Sequence, residues 1–146
     1  MMLLNVYWKG KTGEIYIPTQ MQAEAGFWLD VAPVEQASIG DLNSIRIALQ
    51  NAFDRSGGTV PTPPRGSKPI MMVQTKAKSW SSFLRQYKQV SIIKENDGKV
   101  FIEHYKPDPE GPGRVVNMDA RIVVQVPASI TALAERLQDV MASASK

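Results

Sequence analysis

The chain has 146 residues, of which 43% are hydrophobic, so it is long enough to bury one continuous core without disulfides. It has no cysteine and one histidine, which excludes disulfide bonds, thiolate nucleophiles and metal sites built from several such residues. No apolar stretch approaches the roughly 20 residues that span a bilayer, and the N-terminus lacks the basic region of a secretory signal. We therefore expect one cytoplasmic domain, residues 1–146, with no membrane segment, metal or cofactor.

The charged residues are distributed unevenly around a net charge of +3. Residues 61–94 contain seven Lys or Arg and no acidic residue, whereas residues 1–60 contain four basic and six acidic residues. Residues 95–146 contain six basic and eight acidic residues. A basic segment between two acidic ones indicates that the partners of this chain are charged.

The first part of the chain predicts strands. Leu3–Lys9 and Glu14–Pro18 are rich in Val, Ile, Tyr and Trp and flank the turn sequence Gly10–Gly13, which indicates a β-hairpin. Phe27–Val31 predicts a third strand that ends before Pro33, because proline lacks the N–H donor and restricts the preceding residue.

A helix and a loop follow. From Asp41 the apolar residues recur at helical spacing, and either Ser38 or Asp41 can cap the helix start. Gly57-Gly58 ends it. The apolar face of this predicted helix consists of Leu42, Ile45, Leu49, Ala52 and Phe53. Residues 59–69 contain four prolines and predict a surface loop within the domain.

The second half predicts a short helix and a hairpin. The helix begins at Ser79 and carries an aromatic stripe that should face the core, formed by Trp80, Phe83, Leu84 and Tyr87. Gln89–Asn96 and Lys99–Lys106 form two strands around a two-residue Asp97-Gly98 turn. That turn pairs Lys94 with Phe101, Ile93 with Ile102, Ile92 with Glu103 and Ser91 with His104.

The last elements are a strand and a helix. After the loop Pro107–Gly113, the apolar run Arg121–Val126 predicts a central strand that stops at Pro127. Ser129 caps a final helix whose stripe runs from Ile130 to Met141. The element order predicts an α+β fold, a mostly antiparallel sheet with helices packed against it.

The sequences that match enzyme motifs lack either the required spacing or the required partner residue. His104 is the candidate for acid–base work, and a hydrolase that uses it with a carboxylate is one alternative. His104 lies in the middle of a predicted strand and has no second histidine as a partner, so a structural role is favoured over a catalytic one. Ser91-Ile92-Ile93-Lys94 matches the S-x-x-K pattern of acyl enzymes, but a strand puts the serine and the lysine on opposite faces, whereas the motif needs a helix.

Cofactor and metal motifs fail in the same way. Arg65–Lys68 lacks the leading glycine and the preceding strand of a phosphate-binding loop. Asp108 and Glu110 offer two carboxylates, short of the about six to eight oxygen ligands of calcium. No catalytic, cofactor-binding or metal-binding residue is predicted, and the chain is interpreted as a binding protein rather than an enzyme.

Nucleic-acid binding is the alternative function. The basic segment 65–94 interleaves its cations with Trp80, Phe83 and Tyr87, and cationic grooves with stacking aromatic residues bind single strands. The helical spacing of these aromatic residues indicates instead that they pack in the core. A nucleic-acid-binding accessory protein would show an affinity that falls steeply with salt.

The strongest resemblance rests on Lys78–Phe83 (KSWSSF), the strand pair after it, Asp119–Val124 (DARIVV) and the helix Ile130–Met141. In pattern and order, residues 76–141 resemble an immunity protein of a bacterial contact-dependent growth inhibition system. The resemblance implies a cytoplasmic antidote that binds and blocks the toxin domain, often a nuclease, delivered by a neighbouring cell. It implies no catalytic residues.

Two surfaces are candidates for the toxin contact. An inhibitor of a nuclease is expected to offer acids to the basic cleft of the toxin. The acidic candidates around the second hairpin and the following loop are Glu95, Asp97, Glu103, Asp108 and Glu110. If the toxin presents an acidic face, the contact residues are instead the basic set Lys76, Lys78, Arg85 and Lys88.

Overall fold

The computed structural model describes residues 1–110, 114–124 and 129–144. In these ranges the chain forms seven strands and four helices. The strands are β1 (Met2–Lys9), β2 (Glu14–Ala23), β3 (Trp28–Ser38), β4 (Thr59–Val60), β5 (Lys88–Lys94), β6 (Val100–Pro107) and β7 (Arg114–Val124). The helices are α1 (Leu42–Arg55), α2 (Ile70–Thr75), α3 (Trp80–Gln86) and α4 (Ile130–Ala144).

The strands form one sheet in the order β3-β2-β1-β5-β6-β7. All neighbours along this path pair antiparallel, and the short β4 adds to β2 in the parallel sense. β1 and β5 lie at the centre of the sheet. Their pairing joins the N-terminal strands β1–β3 to the C-terminal strands β5–β7. The predicted α+β fold with a mostly antiparallel sheet is confirmed.

The larger core lies between one face of the sheet and helices α1 and α4. Side chains alternate along a strand, so Leu4, Val6 and Trp8 of β1 point to the same side, where they are fully or almost fully buried. The helices contribute apolar residues at helical spacing, such as Leu49 and Leu137. Asp41 caps α1 through a hydrogen bond from the Ser44 N–H, at 3.1 Å.

The smaller core lies on the opposite face, under α2 and α3. It consists of Tyr7, Met71, Phe83 and Tyr87 with partly buried neighbours. Phe83 stacks on Tyr87 with ring centroids 4.9 Å apart, and Tyr7 meets Phe83 edge-on at 5.3 Å. The predicted aromatic stripe therefore faces a core at these positions, whereas Trp80 keeps 38% of its surface exposed.

The prediction that the third strand ends before Pro33 was wrong. β3 continues to Ser38 because Ala32 and Pro33 lie in an irregularity, between the pairs Thr19↔Val31 and Pro18↔Val34. β3 is also an edge strand, and edges and bulges are where a sheet tolerates proline.

The predicted register of the second hairpin was wrong by one residue. The structure pairs Ile93 with Phe101 and Ile92 with Ile102. The loop has three residues rather than two, because Glu95 N–H bonds to the Lys99 carbonyl and Gly98 has a positive φ of 89°. A glycine in this conformation after a tight turn is typical of three-residue hairpin loops.

Two further expectations differ from the structure, and a third lies outside the residues that it describes. β7 lies at the sheet edge rather than at the centre, although Ile122 still packs on the larger core. The predicted loop 59–69 begins with β4, and the helix α2 that follows it was not predicted. The predicted stop at Pro127, together with residues 111–113, 125, 126 and 128, lies outside the described residues.

Gly98→Ala should destabilise the fold by about 1 to 2 kcal/mol, because an L-residue with positive φ is strained. A Cβ at Gly98 meets no atom within 4 Å, so the cost is one of backbone conformation alone. Gly40→Ala is the matched control, since a Cβ there is equally unobstructed and the backbone is not left-handed. Urea unfolding of both variants checks this; equal midpoints would contradict the three-residue loop.

Candidate functional site

The sheet face opposite the larger core carries a hydrogen-bonded polar network at its centre. β1 pairs with β5 so that Asn5 lies opposite Ser91. The Ser91 hydroxyl donates to Asn5 Oδ1 at 2.6 Å and contacts the Tyr105 hydroxyl at 2.9 Å. Gln89 Nε2 donates to the same Asn5 oxygen at 3.4 Å. Because these bonds hold the Asn5 amide in one orientation, its nitrogen points away towards β3.

That nitrogen reaches a carboxylate on the edge strand. Asn5 Nδ2 donates to Asp30 Oδ1 at 2.9 Å, and the Tyr7 hydroxyl donates to Asp30 Oδ2 at 2.6 Å. Gln20 is the strand partner of Asp30, and its side-chain amide donates to Oδ1 at 2.6 Å when its oxygen accepts from the Leu29 N–H. Three neutral donors therefore surround one carboxylate.

The charge state of this site follows from its burial. Burial raises the pKa of Asp30, and the hydrogen bonds from Tyr7 and Asn5 oppose that shift without cancelling it. Burial also raises the pKa of Tyr7, and the neighbouring Asp30 raises it further. Within residues 1–110, 114–124 and 129–144, no Lys, Arg or His forms an ion pair with Asp30. In these ranges, hydrogen bonds from Asn5, Tyr7 and Gln20 hold the carboxylate.

A cavity of about 480 Å³ opens over Asp30. Asn5, Tyr7, Gln20 and Asp30 supply its polar part. Its other lining residues are mainly apolar and come from β3, the Pro-rich segment, α2 and α3: Trp28, Leu29, Val31, Ala32, Pro63, Pro69, Ile70, Met71 and Trp80, with Ser67 and Lys68 beside them. Apolar walls with a few convergent polar groups are typical of binding sites.

Arg114 stands near this face but is engaged elsewhere. Its guanidinium donates to the backbone carbonyls of Leu84 and Tyr87, which end α3, and to Gln89 Oε1 at 3.5 Å. Burial lowers its pKa. A cation on the last carbonyls of a helix is a stabilising arrangement, so Arg114 ties β7 to α3.

The five predicted acidic residues do not form one surface. Glu95 and Asp97 lie at the turn between β5 and β6. Asp97 Oδ2 forms an ion pair with Lys99 Nζ at 3.8 Å. Asp108 and Glu110 follow the other end of β6. β6 has eight residues, and at about 3.3 Å per residue it separates the two ends by roughly 25 Å. These four residues therefore lie at opposite ends of β6 rather than together.

Glu103 differs from the other four acids because it is buried, with 8% of its surface exposed. It lies within β6 opposite Ser91, on the polar face of the sheet. A direct contact between this side chain and a partner therefore requires access to the polar face rather than to the hairpin tip.

The predicted basic residues are only partly brought together. Lys76 ends α2 and Lys78 lies between α2 and α3. Arg85 and Lys88 line a second cavity, of about 490 Å³, together with two lysines that the sequence did not single out, Lys9 and Lys11. Strand pairing explains this, since Trp8 lies opposite Lys88. We call Lys9, Lys11, Arg85 and Lys88 the basic cluster.

His104 faces α4 and lines a cavity of about 420 Å³ with Arg136 and Asp139. Burial lowers the pKa of His104, which favours the neutral imidazole. In the part of the chain that the structure describes, no hydrogen bond joins its side chain to Asp139. A general base needs a proton within hydrogen-bond reach and a group that orients it, and the described residues supply no such orienting carboxylate.

The described residues contain neither a metal-binding cluster nor a membrane-spanning helix. No group of three or more His, Asp or Glu side chains there has a geometry that could hold a metal ion. Each described helix is too short or too polar to cross a bilayer.

The fold and this face define an α+β protein whose sheet is apolar on one side and carries a carboxylate cavity on the other. No protein-family model and no curated protein matches the chain. Among solved structures, it is similar to a protein of unknown function, NMB0488, from Neisseria meningitidis. The identity is 10%, the TM-score 0.68, and the match covers 99% of this chain and 95% of that one.

It is also similar to a chain of the CdiA-CT/CdiI toxin and immunity complex from Yersinia pseudotuberculosis. Here the identity is 13%, the TM-score 0.61, and the match covers 99% of this chain and 96% of that chain. At these identities the likeness shows a shared fold.

The sequence reasoning missed Asn5, Tyr7, Gln20 and Asp30 as a site. One signal was present, since Asn5 interrupts an otherwise apolar and aromatic strand. A polar residue inside a strand with both faces covered needs a hydrogen-bond partner, but only the strand order identifies Asp30 as that partner.

Asp30→Asn should change how stability depends on pH. The folded protein binds the Asp30 proton more tightly than the unfolded chain, whose pKa is near 3.8. The wild-type protein therefore loses stability relative to Asp30→Asn as pH rises from about 4 through the raised folded pKa, and the difference is constant above it. Urea unfolding from about pH 3 to 8 measures this difference.

Ser91→Ala is the control, because it alters the same polar face and leaves the Asp30 carboxyl in place. Its stability should follow the wild-type pH profile with a constant offset. A difference between wild type and Asp30→Asn that does not change with pH would show that the Asp30 pKa is not raised.

Proposed function

We propose that this chain is an immunity protein that binds the cognate toxin domain of a contact-dependent growth inhibition system and neutralises it. It acts in the cytoplasm, by protein–protein contact and without catalysis of its own. The toxin is of the nuclease class, and the antidote blocks it before it reaches nucleic acid.

The observation that carries this proposal is the fold shared with a chain of the Yersinia toxin and immunity complex, over nearly the full length of both chains. The likeness agrees with the sequence resemblance of residues 76–141 to such immunity proteins. Because one fold can serve several functions, the proposal also needs a surface suited to a protein partner.

Exposed apolar side chains near the cavity supply such a surface. Phe27 precedes β3 and is 47% exposed, and Trp80 at the cavity wall is 38% exposed. Val73 on α2, the helix that supplies Ile70 and Met71 to the cavity, is 54% exposed. Aromatic residues are enriched among the energetically dominant residues of protein interfaces.

The decisive experiment is titration calorimetry against the toxin-like C-terminal domain encoded immediately upstream, with a toxin from an unrelated system as control. We expect nanomolar or tighter binding to the first and none to the second, since such affinity requires a preorganised interface. No binding, or equal weak binding to both, would reject the immunity function.

A second candidate, a nucleic-acid-binding accessory protein, is favoured by the basic cluster at the 490 Å³ cavity. Its signature is affinity for unrelated oligonucleotides that falls steeply with salt. Fluorescence anisotropy at two salt concentrations on the same protein preparation distinguishes it from the antidote, which should not bind the oligonucleotides.

The acidic candidates are tested as two separate pairs, because they lie at opposite ends of β6. One variant combines Glu95→Lys with Asp97→Lys, and the other combines Asp108→Lys with Glu110→Lys. At least one pair should weaken toxin binding by more than the about 1 kcal/mol typical of exposed charges, because reversal places like charges against a basic cleft.

Each pair is the control for the other, since both make the same change of charge. Calorimetry against the upstream toxin domain gives the affinities, and circular dichroism confirms the fold. Unchanged affinity in both variants would exclude an acidic contact at the hairpin and move the contact to the basic set Lys76, Lys78, Arg85 and Lys88.

A further inference from the structure

No cation among the described residues forms an ion pair with the Asp30 carboxylate in this cavity. Its hydrogen-bond donors Tyr7, Asn5 and Gln20 are all neutral. Lys68 lines the same cavity, yet no ion pair joins it to Asp30 in the described residues. A buried carboxylate without a counter-charge is energetically costly, so a cation delivered from outside would be bound there favourably.

The walls of the cavity suit a cation that has an apolar stem. Trp28 and Trp80 present indole rings, and Ile70, Met71 and Pro69 supply aliphatic surface. Trp80 is held in place by stacking on Phe83, with ring centroids 4.9 Å apart. Indole rings attract guanidinium and ammonium groups, and aliphatic walls accommodate the methylene stem of a long basic side chain.

The size and the rim of the cavity favour a protein over a small ion. Its volume of about 480 Å³ exceeds what one metal ion or one ammonium group fills, and lies in the range of sites that hold drug-sized groups. Trp80, which lines the cavity and is 38% exposed, extends the apolar surface beyond it. A segment with one basic side chain and its neighbouring residues matches this volume and this rim.

We propose that the cavity is the receptor for a lysine or arginine side chain of the partner protein, whose stem lies along Trp28, Trp80 and Met71 and whose cationic group pairs with Asp30. This inference rests on the proposed function for the identity of the partner, the toxin domain. It adds to the acidic candidates at the ends of β6 a second contact, formed by four strand residues and two helices.

The chemistry of the site is tested first without the toxin. The probe is Nα-acetyl-lysine methylamide, with Nα-acetyl-norleucine methylamide, which lacks only the ammonium group, as the uncharged control. Indole N–H signals in NMR spectra report binding, because Trp28 and Trp80 line the cavity whereas Trp8 is buried in the larger core on the other sheet face. We expect saturable shifts at the first two indoles and none at Trp8.

The shifts should disappear in Asp30→Asn and persist in Asp54→Asn, which makes the same change at an exposed site on α1. Trp80→Ala removes one wall without touching Asp30 and should weaken probe binding too. Absence of shifts in the wild-type protein would overturn the proposal. Equal shifts with norleucine, or in Asp30→Asn, would overturn it as well.

The same variants are then titrated with the toxin domain encoded upstream. Removing one partner of a buried charge pair should weaken binding by at least about 30-fold, so Asp30→Asn should lose that much and Asp54→Asn should bind as the wild type does. Equal affinities of all three proteins would overturn the cavity proposal and leave the antidote function standing. A wild-type protein that does not bind the toxin would reject the antidote function, and with it the partner assigned to the cavity.

Discussion

The alternation of side chains along β1 is the constraint on which the rest of the molecule depends. Leu4, Val6 and Trp8 point to the larger core, while Asn5 and Tyr7 point to the other face. Because the side-chain period of a strand is two, a shift of one residue would place the amide in the apolar core. Pairing of β1 with both β2 and β5 prevents that shift and so keeps the two faces distinct.

Helices cover both faces, but in different ways. α1 and α4 bury the apolar face over long stripes. The shorter α2 and α3 cover only part of the polar face, and the space between them, β3 and the Pro-rich segment becomes the cavity. The site is therefore a product of incomplete coverage, and its carboxylate is retained because Tyr7, Asn5 and Gln20 satisfy its oxygens.

The elements that the sequence predicted correctly are those with strong periodicity. α1 and α4 have long apolar stripes, and their capping residues were visible in the sequence. α2 has six residues and no side-chain cap, so tertiary packing rather than propensity stabilises it. The strand through Pro33 and the three-residue loop at Gly98 depend on irregular pairing, which a residue pattern does not specify.

The candidate site was less predictable than the fold. Charge counts along the chain identified Arg85 and Lys88. They did not identify Lys9 and Lys11, because residues 1–60 are acidic overall. Only the pairing of β1 with β5 brings these two lysines close to Arg85 and Lys88. Asp30 was one acid among many in the sequence. Its importance comes from burial and from partners 10 to 25 residues away, which local patterns do not reveal.

The alternation of side chains along the strands separates two groups of positions. Positions 4, 6, 15 and 17 belong to the larger core, whereas positions 5, 20 and 30 line the cavity together with position 7 of the smaller core. The two faces of the same strands thus serve different parts of the structure. A lineage built on this plan can exchange the residues at positions 5, 20 and 30 while the side chains of the larger core stay the same.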